Sequence, residues 1–312
     1  MAKSRDTLRV PSIPPLPALR RAQLPKEHLA HNEILRTKKP FEVRLWMKNF
    51  KHRHLYKYMR FDSASSDCLR NLRTVLVDSK LYLSCPEKCN DPFEFHYRLH
   101  LDNDPVAVRR ELALLHKKTY SRYKMHAKER EREVTKLMQG IRSKVAAGLM
   151  PTNSKNHGIY CFAPNPKDLL MWAHYGDSHA GVCVQFRTSM DPATFLTAQP
   201  VDYSDNYPLL RWPSVPTDDM KAVMMRKGMA WKYEAERRIV MLGISDRHLD
   251  LRSEAVTGLI LGSRFPDQHL PAILELLAER QAQGHPQVKL YRASTHKTAY
   301  RLSVHGQRAP EP

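Results

Sequence analysis

Hydrophobic and polar positions alternate along much of this chain in short runs. At residues 54 to 59, Tyr56 and Tyr58 fall against Leu55 and Met59, which predicts a strand. Helical spacing follows from about Ser65 to Thr74, presenting Cys68, Leu69 and Leu72, and then a strand pattern from Leu81 to Ser84. Asn90-Asp91-Pro92 is strong turn chemistry, because Asn and Asp side chains bond their own backbone and Pro fixes φ; the strand pattern resumes from Phe93 to Leu99. Asp104-Pro105 has the form of an N-cap and a first helical position. Apolar residues at 108, 112 and 115, then at 134, 137, 138, 141 and 145, predict a helical hairpin or one long helix.

Residues 158 to 186, GIYCFAPNPKDLLMWAHYGDSHAGVCVQF, show two strand-like runs around a short helical segment crowded with Trp172, His174, Tyr175, Asp177 and His179. Prolines at 200, 208, 213 and 216 predict irregular chain around a short strand near Val201 to Tyr203, and Thr217-Asp218-Asp219 caps a helix that ends by Gly228. Residues 231 to 242 read as a strand placing Trp231, Tyr233, Ala235, Ile239 and Met241 on one face and Glu234, Glu236 and Arg238 on the other. An apolar run at Val256 to Leu261 precedes an amphipathic helix from Asp267 to near Gly284, then strands at 288 to 292 and 300 to 304. Strands and helices intermingle without βαβ repetition or a glycine-rich phosphate loop, so the predicted fold is α+β: a mixed or antiparallel split sheet packed with helices, plus a long basic helical insert.

Length and composition set the organisation. The 312 residues are expected to form one α+β domain over 51–306 with the helical insert at about 104–150, preceded by a basic Pro-rich tail and anchor at 1–50 and followed by a tail at 307–312. In the first of these segments a short helix is expected around Glu27 to Arg36 and an apolar anchor at Phe41, Leu45, Trp46 and Phe50. No apolar run reaches the ~20 residues that cross a bilayer and no secretory leader is visible, so the expectation is a cytoplasmic protein without membrane contact. Five cysteines, only Cys85 and Cys89 close together and with no second pair to complete four zinc ligands, fit reduced thiols, the alternative being a metal clip at Cys85, Cys89 and a histidine.

Charge changes the picture more. Fifty-one Lys and Arg against 32 Asp and Glu give a formal charge of +19, which favours polyanionic partners and nucleic acid first. The insert concentrates it: between residues 109 and 144 there are twelve Lys or Arg and four Glu. Lys117, Lys118, Arg122 and Lys124 are candidate nucleic-acid contacts, with Tyr120 and Tyr123 available for stacking on bases; the plainer reading is a solvated face. The Trp-His-Tyr segment and Asn90, Asp91 and Glu94 also have plain readings, as a buried wedge holding helix to sheet and as a tight turn. For Glu234, Glu236 and Arg238 the plain reading is a surface ladder of ion pairs.

LYKY at 55–58, CNDPFE at 89–94, MWAHYGDSHAGVCVQF at 171–186 and WKYEAERR at 231–238 together resemble a bacterial family known only as domain of unknown function 2971, over roughly residues 54 to 305. The chain departs from that pattern at Ala163, where the family often has Ser. An aromatic and cationic first strand, a Trp-His-Tyr cluster and a late strand bearing Glu are similar in layout to ADP-ribosyltransferases. That likeness implies an enzyme that takes NAD as substrate, with Glu236, Glu234 and His174 as catalytic candidates. Lys57, Arg60 and Arg238 would contact the diphosphate, Tyr58, Tyr175 or Trp172 would sandwich nicotinamide, and Asn90, Asp91 and Glu94 would touch the acceptor. It also implies a toxin or phage-defence effector with an immunity or antitoxin partner. Two readings from other classes stay open: a non-catalytic nucleic-acid-binding protein, and a nuclease holding Mg²⁺ on Asp91, Glu94, Glu234 and Glu236.

Overall fold

A computed structural model describes residues 52–101, 106, 108–110, 113–114, 117, 126–146, 157–212, 217–241 and 245–306. The expected tails at 1–50 and 307–312 lie outside these residues, as do Lys118, Tyr120, Arg122, Tyr123 and Lys124. The elements in chain order are β1 (His54–Met59), α1 (Ser66–Leu76), β2 (Lys80–Leu83), β3 (Arg98–Leu101), α2 (Ala127–Ala146), β4 (Gly158–Phe162), α3 (Leu169–Tyr175) and β5 (Val182–Arg187). There follow α4 (Pro192–Phe195), β6 (Gln199–Pro200), β7 (Asp202–Tyr203), β8 (Leu209–Trp212), α5 (Thr217–Met225), β9 (Arg226–Lys227) and β10 (Arg237–Met241). The last are β11 (Arg247–Asp250), β12 (Val256–Leu261), α6 (Leu270–Ala282), β13 (Lys289–Thr295) and β14 (Leu302–Gly306). The fold is α+β, with a mixed sheet and several helices, and among the described residues no helix is long and apolar enough to cross a membrane.

The chain divides into two compact units. One comprises Met1–Lys88, Asn156–Val201 and Ala230–Pro312, the other Cys89–Lys155 and Asp202–Met229. Sequence patterning places one domain with an insert at about 104–150. The second unit is larger than that insert and discontinuous, because β3 pairs in parallel with β8 and β7 with β9, contacts between segments more than 20 residues apart that local periodicity does not encode.

The first unit is built on a five-stranded sheet in the order β1-β5-β12-β13-β14, antiparallel except for the β12/β13 pair. Its two faces follow from side-chain alternation. Leu55, Val182, Val184, Phe186, Leu259, Leu261 and Leu290 enter the main core, which α1 fills with Leu72, Val75 and Leu76 and α6 with Ile273 and Leu276. The opposite face carries Tyr56, Tyr58, Cys183, Ile260, Ala293 and Leu302, against which α3 packs Met171 and Trp172. Asp168 caps α3 by accepting from the amides of Leu170 (2.9 Å) and Met171 (3.0 Å). A second sheet, β4-β10-β6, hydrogen-bonds to the first where Tyr56 and Ala163 exchange two backbone bonds of 2.8 Å, so the sheet is split.

In the second unit, Asp219 of α5 accepts from the backbone amide and Nε of Arg211, each at 2.9 Å, and from its Nη2 at 2.6 Å, tying helix to β8. The interior pair is Val108 and Val134, with Ala113 and Met138 packed against them, so the apolar stripe of the basic insert has a partner of its own. The expected strand from Phe93 to Leu99 starts later, at Arg98, because Pro92–Phe95 form a turn in which Phe95 takes φ 63°.

Candidate functional site

The expected strand over 231–242 is half turn and half strand. Met229–Glu234 form a 3₁₀ turn, Ala235 sits at φ 45°, and β10 begins at Arg237. Glu234 and Glu236 therefore do not share a strand face. They are not a surface ladder either: Glu234 is 3 % exposed, Glu236 4 % and Arg238 1 %. Arg238 Nε donates to Glu236 Oε1 at 2.8 Å and its Nη2 to Oε2 at 3.1 Å, a two-pronged pair inside the protein. Breaking such a pair is expensive: removal of one partner leaves the other charge buried without its ion pair, at about 3–5 kcal/mol. The fork fixes the position of the Glu236 carboxylate.

The acidic segment meets α3. The Tyr175 hydroxyl donates to Glu234 Oε1 at 2.7 Å. One residue earlier on the helix, His174 is exposed and its ring lies edge-on to Trp231 (5.9 Å between centroids) and tilted against Tyr233 (6.3 Å), which are themselves 6.1 Å apart. Trp231 and Tyr233, half-buried, are thus part of this constellation, although the alternation along 231–242 puts them on the strand face opposite the acids. Their signal was the same Trp-Lys-Tyr-Glu spacing, read with the wrong local geometry.

Trp172 and Tyr58 are corrections to the expected nicotinamide sandwich. Trp172 is fully buried, its Nε1 donating to the Pro166 carbonyl at 2.9 Å, and Tyr58 meets it edge-on at 5.1 Å while its hydroxyl donates to the Asn165 carbonyl at 2.6 Å. Both rings are the wedge that fixes α3 to the sheet. Burial pushes the Tyr58 phenol far above its ordinary range, so it stays neutral.

The proposed diphosphate contacts do not converge. Lys57 Nζ lies over the ring of Tyr160 at 4.7 Å. Arg238 pairs across the strands with Cys161, the residue after Tyr160, so it leaves β4 and β10 on the opposite face. Arg60 is exposed beside Asp177, Nε to Oδ1 3.5 Å.

Asp177 opens a turn in which Asp177, Ser178 and His179 all take positive φ, at 51°, 52° and 72°. For L-residues this costs about 1–2 kcal/mol each, offset here by a backbone network: Gly181 N to Gly176 O (2.7 Å), Gly262 N to Gly181 O (2.9 Å) and Arg264 N to His179 O (3.0 Å). Gly262 is required, since a Cβ there would sit 2.0 Å from the His179 carbonyl. The turn sends His179 to stack on Trp172, with 15° between ring planes, while His174 faces Trp231, so the two histidines serve different neighbours. Burial, with Arg264 nearby, holds the His179 imidazole below its usual pKa.

The remaining predicted residues belong to the second unit. Asp91 is buried and accepts from the Phe93 amide at 2.9 Å, so it shapes the turn, and Asn90 is exposed. Glu94 faces the buried Lys227 at 3.9 Å. Lys117 is helical and exposed. Among the described residues no three His, Cys, Asp or Glu gather as metal ligands, and none of the five cysteines is in a disulfide. Comparison with protein-family models, with curated proteins and with solved structures finds no match to this chain.

Proposed function

We propose that the chain is an ADP-ribosyltransferase-like enzyme that cleaves the bond between nicotinamide and ribose in NAD. The observation that carries this reading is the 2.7 Å hydrogen bond from Tyr175 to Glu234, which joins an aromatic helix to a segment bearing two buried carboxylates. The split sheet supports the likeness in layout to that enzyme class.

When the glycosidic bond breaks, its electron pair leaves with nicotinamide and positive charge develops on the ribose. A fixed carboxylate in a site of low dielectric stabilises that charge. Glu236, held in place by the Arg238 fork, supplies it. The attacking group of the acceptor gives up its proton as it bonds to the ribose carbon, and Glu234 takes that proton. The rings of His174, Trp231 and Tyr233 offer flat surface to nicotinamide, in place of Trp172 and Tyr58. The acceptor that fits the charge of +19 is nucleic acid, and such an enzyme would act as a toxin or phage-defence effector.

The test is release of nicotinamide from NAD, followed by chromatography. Wild-type protein releases it; Glu234→Gln, which keeps the hydrogen bond from Tyr175, loses it while its circular dichroism stays unchanged. No release by the wild type, or equal release by the variant, overturns the reading.

A further inference from the structure

The five strands of the main sheet, HLYKYM, VCVQFR, VTGLIL, KLYRAST and LSVHG, contain no Asp or Glu. Helix α3 covers one end of the face that bears Tyr58 and Cys183. Strand register places His54 and Arg187, then Tyr56, Gln185, Gly258 and Lys289, along the other end of the same face, while Tyr291 stands opposite Ile260 in the row of Tyr58 and Cys183 and its ring reaches back over Gly258. His54 stands directly opposite Arg187, and like charges in that position repel. Arg53, His54, Arg187 and Lys289 have no carboxylate partner among the described residues, and the Arg187 Nε is buried without a hydrogen-bond partner. Gly258 lets side chains lie across the strand: a Cβ there would be 2.4 Å from Gln185 Oε1 and 3.0 Å from the Tyr291 ring.

We propose that this sheet face binds single-stranded nucleic acid, with Arg187 and Lys289 on phosphates and the rings of His54 and Tyr291 against bases. A carboxylate-free sheet with unpaired cations is complementary to a polyanion, and half-buried rings between those cations favour a polyanion that carries flat bases. From β1 to β13 is three strand spacings, about 14 Å, room for several phosphates. The neighbouring guanidinium groups of Arg53 and Arg187 add to burial in holding the His54 pKa below its usual value, as expected of a site short of an anion. This inference goes beyond the NAD reading and does not need it, since binding and nicotinamide release are separate measurements.

The experiment is fluorescence anisotropy with a labelled single-stranded oligonucleotide of about twelve nucleotides. The full-length protein binds it with a salt dependence that Arg187→Gln/Lys289→Gln reduces by about two in log–log slope, with roughly tenfold loss of affinity. Tyr291→Leu loses affinity with the slope unchanged. Lys167→Gln/Arg247→Gln, which removes the same charge from exposed positions elsewhere, stays within about twofold of wild type. If Arg187→Gln proves unstable, Lys289→Gln alone, at an exposed residue, reduces the slope by about one. The proposal is overturned if the oligonucleotide does not bind, if the control pair weakens it as much, if only substitutions on α2 weaken it, or if polyglutamate competes as well as unlabelled oligonucleotide.

Discussion

The Tyr175 hydroxyl and Glu234 Oε1, 59 positions apart in sequence, lie 2.7 Å from each other, and this bond joins α3 to the 3₁₀ turn that precedes β10. Glu234 is buried, so a lost donor is not replaced freely by water. Tyr175→Phe is expected to lower unfolding free energy in urea by about 1.5–3 kcal/mol, the range for hydrogen bonds to charged groups. It also lowers nicotinamide release more than the stability loss explains. A stability change near zero would mean that the bond holds nothing.

Glu236 and Arg238 predict a different pattern. Either single truncation, Glu236→Ala or Arg238→Ala, costs about 3–5 kcal/mol because the surviving charge stays buried without its ion pair; an apolar pair such as Glu236→Leu/Arg238→Met recovers much of that loss. Denaturation of the two single variants together with Glu236→Ala/Arg238→Ala, read as a double-mutant cycle, checks the coupling. The recovered pair is expected to fold and yet release no nicotinamide.

Two tryptophans separate packing from recognition. Trp172→Ala removes a fully buried ring and costs about 3–5 kcal/mol in denaturation. Trp231→Ala, at a half-buried ring beside His174, is expected to cost about 1 kcal/mol, the centre of the range for ordinary substitutions, and to raise the KM for NAD.

The pH dependence follows from His54 and His179. Both imidazoles are depressed, mainly by burial, so the folded state resists taking up their protons. Their contribution is fully present above the ordinary histidine pKa of about 6.5 and is lost as pH falls through the depressed folded values. Thermal unfolding scanned between neutral and mildly acidic pH should show Tm falling over that window. The slope should be shallower in His54→Gln.

Much of the first unit is legible in the sequence. The alternation at 54–59, the capped apolar pattern ending at Gly284 and the run at 256–261 each encode their element locally, and the structure has β1, α6 and β12 there. The site was legible as two stretches that meet, because residues 171–175 and 231–238 carry side chains with flat faces and polar ends. Their geometry was not. Trp231-Lys-Tyr-Glu alternates bulky and charged residues as a strand does, and nothing in that spacing reveals the left-handed φ of Ala235 that breaks it. Burial was equally hidden: Trp172 and Trp231 are the same residue type, and only the packing of α3 on the sheet decides that the first is core. The pairing of β3 with β8 depends on segments more than 100 residues apart, which no local pattern reports.

The most direct test is a crystal structure of the protein grown with NAD under conditions too slow for turnover. The nicotinamide ring is expected among His174, Trp231 and Tyr233, with the adjoining ribose in hydrogen-bond reach of Glu236 and its anomeric carbon turned toward Glu234. Dinucleotide bound elsewhere, or a site that stays empty at saturating NAD, would contradict the assignment of these acids to glycosidic cleavage.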